Sequence, residues 1–182
     1  MTLSSGWTVL ESPIGPLTVV AGPRGITHVH FSGHAPRLPD EARRPLREAV
    51  EQLDSYFAGV RRGFELDLDL DGTPFQRDVW RRLLEIPYGE TTTYGALARQ
   101  VDEALYDPGL EPYRRPRAVG AAIGSNPIPV VVPCHRVIGA DGSLVGFFGG
   151  LERKRVLLEL EGVSVVGEAV APAAAVDQLA LL

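Results

Sequence analysis

The hydrophobic pattern of this chain changes period at one place, and that change restricts its folds more than any other feature. Up to Gly72 apolar residues mostly alternate in short runs, with one helically spaced stretch at Asp40–Ala58, whereas from Thr73 the helical spacing of three to four positions dominates. Alternation marks half-buried strands and the longer period marks helices. Strands followed by helices pack as α+β and not as interleaved βαβ units. We therefore expect an α+β protein. A small N-terminal β-sheet-plus-helix domain, residues 1–72, would pack on a mainly helical C-terminal domain, residues 73–162, with a tail at 163–182. A chain of 182 residues is long enough for two small domains that share a core.

In the first half, Trp7–Ser12, Leu17–Ala21 and Ile26–Phe31 read as strands of a meander, separated by Pro- and Gly-rich turns. His28 and His30 share one face of the third strand, and His34 follows. No carboxylate or Cys stands at a partnering position, so exposed or core histidines are expected rather than a metal site. Asp40 to Ala58 is a helix candidate with Leu46, Ala49, Val50, Leu53 and Phe57 at helical spacing. Its arginines Arg43, Arg44 and Arg47 alternate with acids and read as a solvated face. Phe64 to Asp71 alternates strictly and predicts a half-buried strand with an acidic outer face.

In the second half, Thr73-Pro74-Phe75-Gln76 carries a cap, a first-turn proline and a capping-box glutamine. The helix it opens has a stripe of Phe75, Val79, Leu83 and Ile86, with Trp80 in a core role. Thr91–Thr93 can cap a short helix through Val101, and Arg117–Gly124 makes a second short helix with almost no side-chain bulk. Such pairs suggest a helix-turn-helix. A further helix runs from Leu151 to Gly162, and the tail predicts an amphipathic turn docked on the core.

The only cysteine of the chain, Cys134, lies in Pro129-Val-Val-Val-Pro-Cys-His-Arg-Val-Ile138. A β-branched run delivers it to a Gly/Asp turn at Gly139–Gly142. A lone cysteine is usually a small core hydrophobe. Here a His and an Arg follow at once, and a cation or an adjacent base is what activates a thiol. If the run stays extended, His135 and Cys134 point to opposite faces, so contact needs a turn or a bridging water.

Pro-Cys-His-Arg-Val after Asn126-Pro127 resembles the active-site signature of the O6-alkylguanine-DNA alkyltransferases, the methylated-DNA–protein-cysteine methyltransferases, from about Thr73 to Gly162. The resemblance implies irreversible, stoichiometric transfer of the alkyl group of O6-alkylguanine in DNA to Cys134, with base flipping and no cofactor or metal. His135 would act as base through a water and Glu161 would orient its imidazole. Asn126 would brace the turn before the site, and the Tyr94 hydroxyl would donate to the guanine. The second short helix would lie in the minor groove through Ala118, Gly120 and Ala121, with Arg117 entering the duplex and Arg136 on DNA. Tyr94, Val137, Phe147 and Phe148 would line the base pocket. Phe147 stands where many members have Tyr, and Val156 and Leu160 replace a common Trp and His. Two alternatives remain: a lesion-binding module without chemistry, and a thiol enzyme acting on small molecules.

Charge narrows the partners. The net charge is −5, yet residues 73–162 carry as many basic as acidic side chains. DNA contact must therefore be local, made by a few arginines and backbone N–H groups. One cysteine excludes an internal disulfide and a Cys-built zinc site. No membrane span and no export signal are visible, so a monomer in the reducing cytoplasm, acting on double-stranded DNA, is expected. Asp102–Pro116 is longer than the family's usual connection. It reads as a passive surface loop, with added contacts to DNA or a partner as the alternative.

Overall fold

The computed structural model describes residues 5–32 and 34–171. Strands β1 (Gly6–Leu10), β2 (Leu17–Gly22) and β3 (Gly25–Phe31) form an antiparallel meander in that order. Thr8 pairs with Val19, and Val19 pairs with Val29. A register shift between Val20 and Ala21 places an extra residue, Thr27, in β3, so that Ile26 points inward with Val29 and Phe31 opposite Leu17, Val19 and Ala21. His28 is exposed and its ring stacks on His30 at 5.3 Å. Among the described residues no three His, Cys, Asp or Glu side chains converge as metal donors.

Two expectations for this half are corrected. The helix expected over Asp40–Ala58 is split into a short 3-10 turn, Asp40–Ala42, and helix α1, Arg47–Phe57. Pro45 explains the break, because it lacks an N–H and pushes Arg44 out of helical geometry. The freed stretch runs beside β1, with the Arg44 N–H on the Trp7 carbonyl at 2.9 Å. The strand expected over Phe64–Asp71 keeps its alternating burial but pairs at one bridge only, Ile26 with Leu68. A Cβ on Gly25 would come within 2.2 Å of the Asp67 carbonyl oxygen, so this approach requires glycine.

Helix α2 (Pro74–Leu84) starts as its sequence dictates. Thr73 Oγ1 accepts from the Gln76 N–H, and Gln76 Oε1 accepts from the Thr73 N–H at 2.9 Å. Val79, Trp80 and Leu83 are buried, and each contributes about 1.5–3 kcal/mol by leaving water. The Trp80 indole N–H also donates to the Ala122 carbonyl at 2.8 Å, tying α2 to the small-residue helix.

A two-residue strand β4 (Thr92–Thr93) leads into α3 (Tyr94–Ala98), which is capped by Thr93 and ends before the expected Val101. Helix α4 (Arg115–Gly124) begins two residues earlier than expected, with Pro116 in its first turn. Helices α3 and α4 pack on each other, and α2 packs on α4, as a helix-turn-helix with a long connection. Strand β5 (Val137–Ile138) pairs in parallel with β4. Helix α5 (Leu151–Leu160) follows.

The start of the tail is not the expected amphipathic turn. It forms a hairpin of β6 (Val165–Val166) and β7 (Ala169–Val170). The Leu144 N–H donates to the Glu168 carbonyl at 2.7 Å, and Val163, Leu144, Leu158 and Ile138 bury a small second core beneath it. Residues 172–182 of the expected tail lie outside the described residues. The architecture is thus α+β: a small sheet with one helix, packed on a mainly helical half.

Candidate active site

Cys134 is not on an extended strand. Val132 folds back so that its N–H reaches the Ile128 carbonyl at 2.9 Å, and Cys134–Arg136 forms one 3-10 turn. Asn126 fixes this fold from both sides. Its Oδ1 accepts from the Ile128 N–H at 3.0 Å, and its amide donates to the Val132 carbonyl at 2.9 Å. Val130 is held at φ 76° with its side chain fully buried. Left-handed backbone at a β-branched residue costs about 1–3 kcal/mol, so the surrounding packing imposes this turn.

The turn separates two environments. In front of Cys134 lies a cavity of about 710 Å³. Tyr94, Arg117, Gly120, Ala121, Asn126, Val145, Gly146, Phe147 and Phe148 contribute to its walls. Phe31 of β3 backs the aromatic side, edge-on to Phe147 at 5.6 Å, and His34 meets Phe148 at 4.9 Å. The Tyr94 hydroxyl lies 3.2 Å from the carbonyls of Val145 and Gly146, to which it donates. A Cβ on Gly146 would stand 2.7 Å from that hydroxyl, and its φ is +55°, so glycine is required there.

Behind Cys134 the side chains are polar and sealed. His135 is fully buried, with Nε2 2.9 Å from Glu161 Oε1. The Arg136 guanidinium grips both Glu161 oxygens at 2.8 Å and donates to the Ile86 carbonyl. The Tyr56 hydroxyl of α1 adds a bond to Glu161 Oε1 at 2.7 Å, and the Gly89 N–H reaches Oε2 at 3.2 Å. Burial alone would raise the Glu161 carboxyl, but the hydrogen bonds and charges of His135 and Arg136 outweigh it and hold the group well below the usual carboxylate range. Burial lowers the imidazole of His135 against the raising pull of Glu161. A carboxylate only accepts, so His135 carries its proton on Nε2 and leaves a lone pair on Nδ1. That Nδ1 is buried and has no partner among the described residues.

Burial pushes the Cys134 thiol up to about 11, against the lowering effects of the Asn126 hydrogen bond and the Lys154 charge. At neutral pH the group therefore rests as a thiol rather than a thiolate.

Of the residues expected at the site, Tyr94, Arg117, Gly120, Ala121, Asn126, Cys134, Phe147 and Phe148 meet at the cavity, while His135 and Glu161 meet behind it. Two expectations are corrected. Arg136, expected on DNA, is buried because its guanidinium neutralises Glu161. Val137, expected in the base pocket, is fully buried beside β4 and does not line the cavity. Ala118, expected on DNA with Gly120 and Ala121, is half-buried on α4 and packs partly against the core.

Sequence reasoning missed Lys154. Its side chain is fully buried, and Nζ donates to the carbonyls of Val137 at 2.5 Å and Val145 at 2.6 Å, tying the strand after Cys134 to the cavity wall. Burial brings its ammonium down to about 8, with Cys134 pulling the other way. The available signal was its place on the buried stripe of α5 with Leu157 and Leu158, where a lysine needs internal acceptors. Tyr56 was missed as well, since its partner lies 105 residues away.

Comparison with known proteins places this geometry among relatives. The family descriptions "6-O-methylguanine DNA methyltransferase, DNA binding domain" and "6-O-methylguanine DNA methyltransferase, ribonuclease-like domain" match residues 74–163 and 6–70. The methylated-DNA–protein-cysteine methyltransferase of Mycobacterium bovis is 45% identical, over 85% of this chain and 91% of its own. The protein of the same name from Methanosarcina acetivorans is 43% identical, over 86% and 97%. The crystal structure of Mycobacterium tuberculosis OGT in complex with DNA superposes with a TM-score of 0.73 at 46% identity, covering 86% of this chain and 92% of that one.

Proposed function

The chain belongs to the 6-O-methylguanine-DNA methyltransferase family, and on that premise we propose that it repairs DNA by moving the alkyl group of O6-alkylguanine onto Cys134. Transfer is direct, irreversible and stoichiometric. The observation that carries this reading is a lone thiol at the floor of an apolar cavity, backed by a buried His–Glu pair whose outer nitrogen is unpartnered.

The damaged base leaves the stack and enters the cavity of double-stranded DNA's partner surface, α4, which lies in the minor groove. Arg117 fills the gap left in the duplex, and the small side chains Gly120 and Ala121 allow the close approach. Phe147 and Phe148 flank the base. The proton of Cys134 passes through a water to His135 Nδ1, and the imidazolium is stabilised by Glu161. The sulfur attacks the alkyl carbon in line. The S–C bond forms as the C–O6 bond breaks, its electron pair going to guanine. Tyr94 turns its hydroxyl from the Val145 and Gly146 carbonyls to the base as negative charge develops. Guanine takes that proton and leaves neutral, and the proton held on His135 returns through solvent to the tyrosinate, so that one proton passes overall from thiol to guanine.

Burial of Cys134 gives the order of events. A neutral thiol is inert toward adventitious electrophiles, and a base that fills the cavity brings the carbon to it before the proton moves. Lys154 shapes the site by holding the Val137 and Val145 carbonyls, and its charge favours the thiolate once formed. The protein works as a monomer, and a single unpaired thiol suits the reducing cytoplasm.

Intact-protein mass after mixing with duplex DNA bearing one O6-methylguanine tests the reading. The expected result is a gain of one methyl group, stopping at one per protein and absent in Cys134→Ala. Binding without a mass gain would put a chemistry-free lesion-recognition role in its place.

A further inference from the structure

The connection between α3 and α4 is longer than the two helices need; most of its residues are exposed, and a few side chains anchor it. Tyr106 is buried, its hydroxyl donates to the Ala98 carbonyl at 2.8 Å, and its ring meets Phe75 edge-on at 5.2 Å. Arg115 lies over the Tyr106 ring at 4.8 Å and pairs with Glu103 at 2.7 Å. Asp102 and Asp107 spend their carboxylates on the N–H groups of Ala104 and Gly109. The segment is a surface loop, as expected from sequence, and Tyr106 anchors it to α2 and α3.

Two residues at its end are not committed. A 3-10 turn, Pro112–Arg114, runs directly into α4, and Arg114 takes near-helical angles of φ −91° and ψ −14°. Tyr113 is 73% exposed, and the Arg114 guanidinium lies 5.6 Å over its ring. Among the described residues Arg114 makes no ion pair and no side-chain hydrogen bond. Position 114 precedes Arg117 by three residues and Ala121 by seven, so all three fall on one helical face, with Arg114 about 4.5 Å farther out along the axis. Arg117 and Ala121 line the cavity mouth.

We propose that Tyr113 and Arg114 form a second DNA contact, outside the lesion site, on the sugar-phosphate backbone of the duplex. The guanidinium takes a phosphate oxygen, and the ring it rests on lies against the adjoining sugar. The cation–π contact preorients the guanidinium, so little freedom is lost on binding. A backbone contact reads no sequence, which suits a protein that must accept a lesion in any context. Arg114 is also the one member of the Arg114–Arg115 pair that is free to act, because Glu103 neutralises its neighbour.

This inference rests on the DNA-repair reading above, and its test separates the two. Affinity for a duplex carrying one O6-methylguanine is measured over a salt series for wild type, Tyr113→Ala, Arg114→Ala, Arg114→Lys and Arg115→Ala. Arg114→Ala should weaken binding at low salt and reduce the slope of log affinity against log salt by about 0.9, the share of one phosphate. Arg114→Lys should restore the slope but not the full affinity, and Tyr113→Ala should weaken binding with the slope kept. Arg115→Ala should leave the slope unchanged. If Arg114→Ala keeps the wild-type affinity and slope while wild type binds the duplex and gains its methyl group, this contact is refuted and the repair reading stands. If wild type neither binds nor gains mass, the repair reading itself fails.

Discussion

The two sides of Cys134 are built on opposite principles. The wall in front, Tyr94, Phe147 and Phe148 with the small face of α4, is apolar, open and lightly bonded, and Phe148 is 67% exposed. The cluster behind, His135, Arg136, Glu161 and Tyr56, is almost fully buried and hydrogen-bonded at 2.7–2.9 Å. A wall that must admit a base cannot be densely packed. A buried charged cluster that holds His135 in one tautomer cannot be loose, because a buried charge that loses its partner is costly. Substitutions behind the thiol should therefore cost folding stability and transfer together, whereas those in front should cost transfer alone.

The strongest challenge to that contrast is Glu161→Gln. It leaves Arg136 buried without its counter-charge, and we expect a loss of about 3–5 kcal/mol in denaturant unfolding. Methyl transfer should slow by about a hundredfold or more as His135 loses its orientation. An unchanged unfolding midpoint would show that the cluster is not the structural element described. The same carboxylate predicts acid sensitivity. Its folded-state pKa is depressed, so its contribution is present above the ordinary value of 4.5 and is lost as pH falls.

Tyr56→Phe probes the same cluster from the sheet side. It removes one hydrogen bond to a charged oxygen, worth about 1.5–3 kcal/mol in thermal or denaturant unfolding. The Arg136 pair should remain.

Lys154 sharpens the comparison because it joins the two sides. Its pKa is about 8 in the folded protein against an ordinary 10.5, so between those values the unfolded chain holds more protons and stability rises with pH. Cys134 opposes this from pH 9 upward, since its folded value of about 11 exceeds the ordinary 9.0. The window for Lys154 is thus pH 8 to 9, where unfolding free energy should climb by at most about 1.4 kcal/mol. Lys154→Met should abolish the climb, and its persistence would assign it to another group.

The smallest expected stability effect is that of Phe148→Ala, within about 0.5 kcal/mol for so exposed a side chain. Transfer from the duplex should nevertheless slow. A variant that unfolds early would place Phe148 in the structural core and erase the contrast.

How much of this was legible depends on how far apart the interacting groups lie. The start of α2 was readable because Thr73, Pro74 and Gln76 complete one another within a single turn. The break before α1 was also local, yet the apolar spacing of Leu46 to Phe57 masked what Pro45 imposes. Cys134 stood out through its neighbours, but its 3-10 turn depends on Asn126 bonding to Ile128 and Val132, which no propensity encodes. Arg136 was misplaced for the same reason. A run of His-Arg after a cysteine says nothing of a glutamate 25 residues later. The hairpin at Val165–Val170 took its partner from the Gly142–Leu144 loop, and such pairing is invisible in an Ala/Val-rich tail.

The bond from Tyr56 to Glu161 has a consequence for how such proteins can be recombined. The two matched regions, residues 6–70 and 74–163, look like exchangeable modules, but this hydroxyl makes the first supply a hydrogen-bond donor to a buried carboxylate of the second. A chimera that takes its N-terminal half from a relative keeps the full set of donors on Glu161 only if that half brings a hydroxyl to the position of Tyr56. Compatibility between halves is thus set by one side chain at the seam as much as by the shape of the surfaces that meet there.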